Sequence, residues 1–186
     1  LTVGRILIVP FFVLAFYLPG FYGDLTALIL FLIASFSDFL DGMLARLLGE
    51  ETKLGELLDP IADKIIVAAA LILLVMDGTI RSYEVIAAII ILTREILVSG
   101  LREFLAEGKI KLPVSNLAKL KTVLQMVSIA LLLSGETGNK IINFQDYNAQ
   151  TIGIVLLWLS AALTLFTGYE YMRKGIDHAI SEDNKD

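Results

Sequence analysis

The chain contains no cysteine and only one histidine among its 186 residues. Without cysteine, disulfide bonds and thiolate metal sites are excluded. The single histidine, His178, lies in a polar segment near the C-terminus. A histidine-based zinc site and a Ser-His-Asp triad therefore do not fit this sequence.

Charged residues are scarce and apolar residues abundant. Charged side chains make up 19% of the chain and hydrophobic ones 56%, with a mean hydropathy of +0.77, whereas soluble domains contain about 45–50% apolar residues. The excess is concentrated in long runs, which indicates an integral membrane protein built as one compact domain. The first run begins at Leu1 and has no small-residue cleavage site, so we expect a trimmed N-terminus and no cleavable secretory signal.

Six apolar runs approach the roughly 20 residues that a helix needs to cross a bilayer. The sequence therefore predicts an all-α bundle of six transmembrane helices over residues 1–174, followed by a polar and frayed tail over 175–186. We expect residues 135–150 to form a polar loop between the last two spans. The predicted spans cover residues 4–18, 25–48, 55–76, 83–105, 115–133 and 151–173.

Basic residues set the orientation of a membrane protein, because Lys and Arg are enriched in cytoplasmic segments. With six spans, both termini share one side, and all 15 basic residues except Arg81 and Lys140 fall on that side. We therefore predict a multi-pass protein of the inner (cytoplasmic) membrane with cytoplasmic termini.

Four aspartates stand where the second span ends and the third begins. Asp38 and Asp41 are three residues apart and Asp59 and Asp63 are four apart, so each pair projects from one face of its helix. A short loop joins the two spans, which brings the pairs to the same depth, facing each other. An alternative is that these acids merely end helices at the membrane interface, but four at these spacings favour a functional site.

Four facing carboxylates repel one another unless cations compensate them. Hard oxygen ligands select Mg²⁺, Mn²⁺ or Ca²⁺. Four carboxylates can hold two such ions about 4 Å apart, an arrangement used in phosphoryl chemistry. The sequence therefore predicts a divalent-metal site at the cytoplasmic end of the second and third spans.

The acidic stretch carries a family signature. Its pattern, D-x2-D-G-x2-A-R-x8-G-x3-D-x3-D, matches that of the CDP-alcohol phosphotransferases at eight positions across 26 residues. Beyond it, the opening L-T-V-G-R, the context L-D-P-I-A-D-K, the run T-R-E-I-L-V-S-G-L-R-E from Thr93 and the run K-L-K-T-V-L-Q-M from Lys119 resemble the phosphatidylglycerophosphate synthase branch of this family. The signature residues are Asp38, Asp41, Gly42, Ala45, Arg46, Gly55, Asp59 and Asp63.

The resemblance implies transfer of a phosphatidyl group from CDP-diacylglycerol to sn-glycerol 3-phosphate, with release of CMP. It implies that the four aspartates together hold two ions of Mg²⁺ or Mn²⁺. It also implies that Asp63 is the general base. It implies membrane lipids as surroundings, a homodimer, an active site facing the cytoplasm and no nucleic-acid partner. The residues it assigns to CDP-lipid binding are Gly42, Ala45, Arg46, Thr52 and Gly55.

The phosphate of the acceptor needs cations, and basic residues lie at the cytoplasmic ends of the fourth and fifth spans. Arg94 is the most informative, because it interrupts an apolar run and a buried arginine requires a partner. The alternatives are an ion pair with Glu95 or Glu103 and, for the lysines, a role in orientation only. The candidate acceptor residues are Arg94, Arg102, Lys119 and Lys121.

Other interpretations remain open at this stage. The same chemistry could use inositol phosphate or phosphatidylglycerol as acceptor. A cation transporter would use acids near the midplane and an inverted repeat, and neither is found here. Tyr169 and Tyr171 suit interfacial or lipid-facing positions.

Overall fold

The computed structural model describes residues 2–48, 53–107, 115–141 and 148–183. Within these ranges the chain forms seven α-helices and no strand, which confirms the predicted all-α class. The helices are α1 (Thr2–Ala15), α2 (Phe21–Leu48), α3 (Lys53–Met76), α4 (Glu84–Glu107), α5 (Asn116–Leu133), α6 (Gly135–Ile141) and α7 (Ala149–Asp183).

Helices α1 to α5 and α7 correspond to the six predicted spans, but α6 was not expected. The prediction of a loop throughout residues 135–150 is therefore wrong for its first half. Glu136 in the first turn and Lys140 in the last turn of α6 complement the helix dipole, which favours a helix in spite of the polar composition. Helix α7 also continues to Asp183, so regular helix extends past the predicted boundary at residue 174.

Glycines in the left-handed region end or begin several helices. Gly20 (φ 63°) and Gly78 (φ 81°) lie in the turns before α2 and after α3. After α3, the side chain of Asp77 accepts a hydrogen bond of 2.8 Å from the Thr79 amide, which stabilises the turn. Gly135 starts α6 with φ 54° and packs so closely on Asp24 that an added Cβ would overlap the carboxylate. That position therefore excludes other residues for two independent reasons.

Two packing groups make up the bundle. Helix α1 packs on α2 and α3, and α7 packs on α4 and α5, while α2 meets α5 and α3 meets α4. The apolar core between them includes Phe12, Phe31, Leu71, Ile91 and Leu157. Gly153 allows the close approach of α7 to α5, because a Cβ there would lie 2.9 Å from the Leu132 side chain.

Two of the described helices are long and apolar enough to cross a membrane by themselves. These are the stretches Asn116–Leu133 and Ala149–Arg173. Shorter apolar stretches occur at Gly4–Ala15, Phe21–Ser37 and Lys64–Met76. The structure thus supports two candidate spans directly, and the remaining four stay predictions.

Contacts at one end of the bundle show in which direction each helix runs along the bundle. Asp24, near the start of α2, packs on Gly135 after α5, and the Gln150 side chain at the start of α7 donates 3.3 Å to the Thr79 carbonyl after α3. We call this the distal end. Because helices are stiff rods, the end of α2 and the starts of α3 and α5 lie at the opposite end, which we call the acidic end.

Candidate functional site

The first acid pair continues the buried stripe of α2. Ala27, Phe31 and Ala34 are buried at spacings of four and three residues, so they share one face of the helix. Positions 38 and 41 follow at the same spacing along that face. The spacing therefore predicts that Asp38 and Asp41 share the face of α2 that carries Ala27, Phe31 and Ala34.

The second acid pair continues the buried stripe of α3 in the same way. Ile66, Ala70 and Leu74 are buried, and positions 63 and 59 precede them at spacings of three and four residues. Ile61 and Ile65 on the other side of the helix are exposed. The spacing thus predicts that Asp59 and Asp63 share the face of α3 that carries Ile66, Ala70 and Leu74.

One acid of each pair stands at the same number of residues from the distal end. Asp38 follows the start of α2 at Phe21 by 17 residues, and Asp59 precedes the end of α3 at Met76 by 17 residues. At 1.5 Å per residue, each lies roughly 26 Å from the distal end. This count agrees with the prediction of a shared site on α2 and α3.

Four carboxylates on two inward faces are a donor set suited to Mg²⁺ or Mn²⁺. Among the side chains that the structure does describe, no three acidic or histidine groups come together as possible metal ligands. The side chains of these four aspartates lie outside the described part, so their ligation stays a prediction supported by register and chemistry.

The predicted CDP-lipid residues follow the same two helices. Gly42, Ala45 and Arg46 lie on the last turns of α2, and Gly55 lies on the first turn of α3. Thr52 falls outside the described residues. The described positions are all at the acidic end, on either side of the segment that joins α2 to α3.

Arg94, on α4, is held by α7. Its Nη2 donates a hydrogen bond of 3.0 Å to the Thr167 hydroxyl, which itself donates 2.8 Å to the Leu163 carbonyl. Arg94 Nη1 also lies 3.6 Å from a carboxylate oxygen of Glu95, so the ion pair considered as an alternative from sequence is present. Its Nε has no hydrogen-bond partner among the described residues.

Lys121, on α5, joins this group through Glu95. The Lys121 Nζ is ion-paired with Oε1 of Glu95, the same oxygen that faces Arg94. Lys121 is only 4% exposed, and a lysine so deeply buried requires an anion beside it. One carboxylate therefore bridges cations from two helices.

Tyr171, on α7, lies beneath two guanidinium groups. Its ring centroid is 5.8 Å from Cζ of Arg94 and 5.3 Å from Cζ of Arg102, within the range of a cation–π interaction. Tyr171 is 6% exposed, whereas Tyr169 is 69% exposed. The prediction of an interfacial or lipid-facing position is therefore wrong for Tyr171, because this side of α7 packs on α4.

Three of the four predicted acceptor residues are thus connected where α4, α5 and α7 pack together. We call this group of side chains the cationic cluster. Its members are Arg94, Arg102 and Lys121, together with Glu95, Thr167 and Tyr171. Lys119 is exposed and stands two residues from Lys121, on a different face of α5. Its assignment therefore rests on the sequence alone.

Gly168 lets the arginine stem lie against the backbone of α7. A Cβ there would be 3.0 Å from Cγ of Arg94. The sequence signals for this contact were a glycine and two threonines spaced on one face of an apolar helix, since small residues mark close helix contacts. Thr167 and Tyr171 were missed because their partners lie 73 and 77 positions away in the chain.

Comparison with known proteins gives a consistent result. The sequence profile of the CDP-alcohol phosphatidyltransferase family matches residues 1–166. The curated relatives include proteins named CDP-diacylglycerol–glycerol-3-phosphate 3-phosphatidyltransferase from Rickettsia felis and Cereibacter sphaeroides. The first is 41% identical, covering 93% of this chain and 91% of the relative. The second is 37% identical, covering 98% and 96%.

Proposed function

Because the chain belongs to the CDP-alcohol phosphatidyltransferase family, we propose that it transfers the phosphatidyl group of CDP-diacylglycerol to sn-glycerol 3-phosphate. The products are phosphatidylglycerophosphate and CMP. The names of its relatives include these two substrates, and the relatives match over nearly their whole length.

The cationic cluster is the observation that favours a phosphorylated acceptor over an uncharged alcohol. Arg94 and Lys121 both face the carboxylate of Glu95, and Arg102 lies over the ring of Tyr171 beside Arg94, so three cationic side chains gather where α4, α5 and α7 pack together. Guanidinium and ammonium groups bind phosphate oxygens through charge-assisted hydrogen bonds. An acceptor with its own phosphate suits such a cluster, whereas an uncharged alcohol does not.

The reaction is an in-line displacement at the lipid-linked phosphorus. Asp63 accepts the proton of the acceptor hydroxyl, whose oxygen forms the new bond to that phosphorus. The bond from the phosphorus to the bridging oxygen breaks, and CMP leaves with the electron pair. The base and the acceptor cations stand on different helices, so the bundle fixes their relative positions and contributes to the rate through orientation.

The four aspartates would hold Mg²⁺ or Mn²⁺, and the donor set fits two ions. When bound, such ions supply positive charge that offsets the pyrophosphate and the developing charge on CMP. Gly42, Ala45, Arg46, Thr52 and Gly55 would surround the nucleotide. The glycines leave room for a ligand beside the acids.

We place the protein in the inner membrane with six spans and both termini in the cytoplasm. The two apolar helices support membrane insertion, and the basic residues at the acidic end favour its cytoplasmic exposure. A diacylglycerol tail then lies in the membrane while the nucleotide and acceptor enter from water. Membership of the family also favours a homodimer, which mass measurement of the detergent-solubilised protein tests.

A cation transporter is disfavoured by the same placement. The predicted acids belong to the last part of α2 and the first part of α3, whereas transporter sites lie near the midplane between repeats.

An acceptor-selection assay tests the proposal. CMP release from CDP-diacylglycerol is measured with glycerol 3-phosphate, inositol phosphate or phosphatidylglycerol, in the presence of Mg²⁺ or Mn²⁺. We expect turnover with glycerol 3-phosphate alone, and loss of turnover when a chelator removes the metal. Restoring the metal provides the control for the chelator. Turnover with one of the other acceptors but not with glycerol 3-phosphate would refute the acceptor assignment.

A further inference from the structure

Glu95 occupies the position between two cations from different helices. Its Oε1 is ion-paired with Lys121 and lies 3.6 Å from Nη1 of Arg94. A single oxygen shared by an ammonium and a guanidinium group is also how these groups hold a phosphate oxygen. The carboxylate thus stands where an anionic ligand of this cluster would bind.

The burial of the three groups is unequal. The side chains of Lys121 and Arg94 are 5% and 11% exposed, while that of Glu95 is 17% exposed. A buried cation is stabilised by an anion beside it, and Glu95 supplies that charge to both Lys121 and Arg94. Glu95 retains access to water and can leave if another anion takes its place.

We propose that Glu95 is an exchangeable internal counter-ion and thereby a specificity-determining residue. In the absence of acceptor, the Glu95 carboxylate neutralises Arg94 and Lys121. When the acceptor binds, its phosphate replaces the carboxylate as their ion-pair partner. This inference rests on the proposed function for the identity of the incoming anion. A phosphate dianion displaces the carboxylate because it brings more charge. A neutral alcohol leaves the carboxylate in place, so specificity arises from exclusion as well as attraction.

The first experiment measures binding without turnover. Wild type and Glu95→Gln are purified in detergent, and inorganic phosphate is titrated while thermal unfolding is followed. Because the competing carboxylate is gone, we expect the apparent Kd for phosphate to fall about tenfold in the variant. Glu103→Gln, an exposed acid on the same helix, removes the same charge and should leave the Kd unchanged. An unchanged or weaker phosphate Kd in Glu95→Gln overturns the inference.

The second experiment separates the two phosphate sources, acceptor and lipid. We expect Glu95→Gln to lower the KM for glycerol 3-phosphate severalfold and to leave the KM for CDP-diacylglycerol unchanged. Glu95→Asp keeps the charge but shortens the side chain, so its effect should be intermediate. A change confined to the CDP-diacylglycerol KM would overturn the acceptor exchange.

Failure of the proposed function is distinguishable from failure of this inference. If wild type does not use glycerol 3-phosphate, the proposed function is wrong, whereas the phosphate Kd still reports the exchange. An exchangeable counter-ion must also be dispensable when another anion is present. Glu95→Gln should therefore fold in phosphate buffer, and a variant that unfolds there contradicts the proposal.

Discussion

Replacing Asp63 by asparagine is expected to abolish turnover, with a loss of roughly 10³-fold or more in kcat. The amide cannot accept the proton of the attacking hydroxyl, and a general base typically contributes between 10² and 10⁴-fold. Loss of a carboxylate from the proposed metal site would add to the effect. The measurement is CMP release under saturating concentrations of both substrates, together with the thermal unfolding midpoint.

The control for this variant is Asp77→Asn. Asp77 lies in the turn after α3, at the opposite end of the helix that carries Asp63, so it is remote from the proposed metal site. The change from aspartate to asparagine is the same in both variants. Asp77→Asn should retain turnover even if the unfolding temperature falls slightly. Normal kcat in Asp63→Asn would remove Asp63 from the role of base. If turnover is lost and the unfolding midpoint is also grossly lowered, the assay is repeated at a lower temperature before the loss is assigned to the missing base.

Replacing Arg94 by alanine is expected to raise the KM for glycerol 3-phosphate about 10- to 100-fold. A hydrogen bond to a charged group contributes about 1.5–3 kcal/mol, and Arg94 is the member of the cationic cluster that α7 holds most directly. The KM for CDP-diacylglycerol should change little. Initial rates with each substrate varied in turn give the two values.

Two further variants refine the result at Arg94. Arg94→Lys keeps the charge but loses the planar donor set, so it should recover only part of the acceptor affinity. Thr167→Val removes the hydroxyl that accepts from Nη2 at nearly constant volume, and should raise the acceptor KM only a few-fold. If Arg94→Ala altered CDP-lipid binding alone, the acceptor site would be misplaced.

The helices were largely predictable because each long apolar run has one structure available to it in a bilayer. The acid pairs were equally visible, since the spacings of Asp38 with Asp41 and of Asp59 with Asp63 determine a shared helix face. The residues that α2 and α3 are predicted to contribute to the site can therefore be identified from local sequence spacing. The buried residues described on both helices repeat with the same spacings of three and four residues.

The cationic cluster was only half predictable, for a physical reason. Arg94 and Lys121 stand out as charges near apolar runs, but the partner of a charge depends on which helix faces pack together. The rotation of α7 decides that Tyr171 is covered by arginines while Tyr169 is exposed. Helix α6 was missed for a related reason, because its polar sequence lacks the apolar periodicity that marks the other helices.

The contact between Gly135 and Asp24 affects the stability of the fold without touching the proposed catalytic residues. It lies at the distal end, away from the acids and the cationic cluster, and any side chain there would clash and strain the backbone. A substitution at Gly135 would therefore behave as a temperature-sensitive allele. Warming would reduce the number of correctly assembled molecules, while each survivor would retain its full catalytic rate.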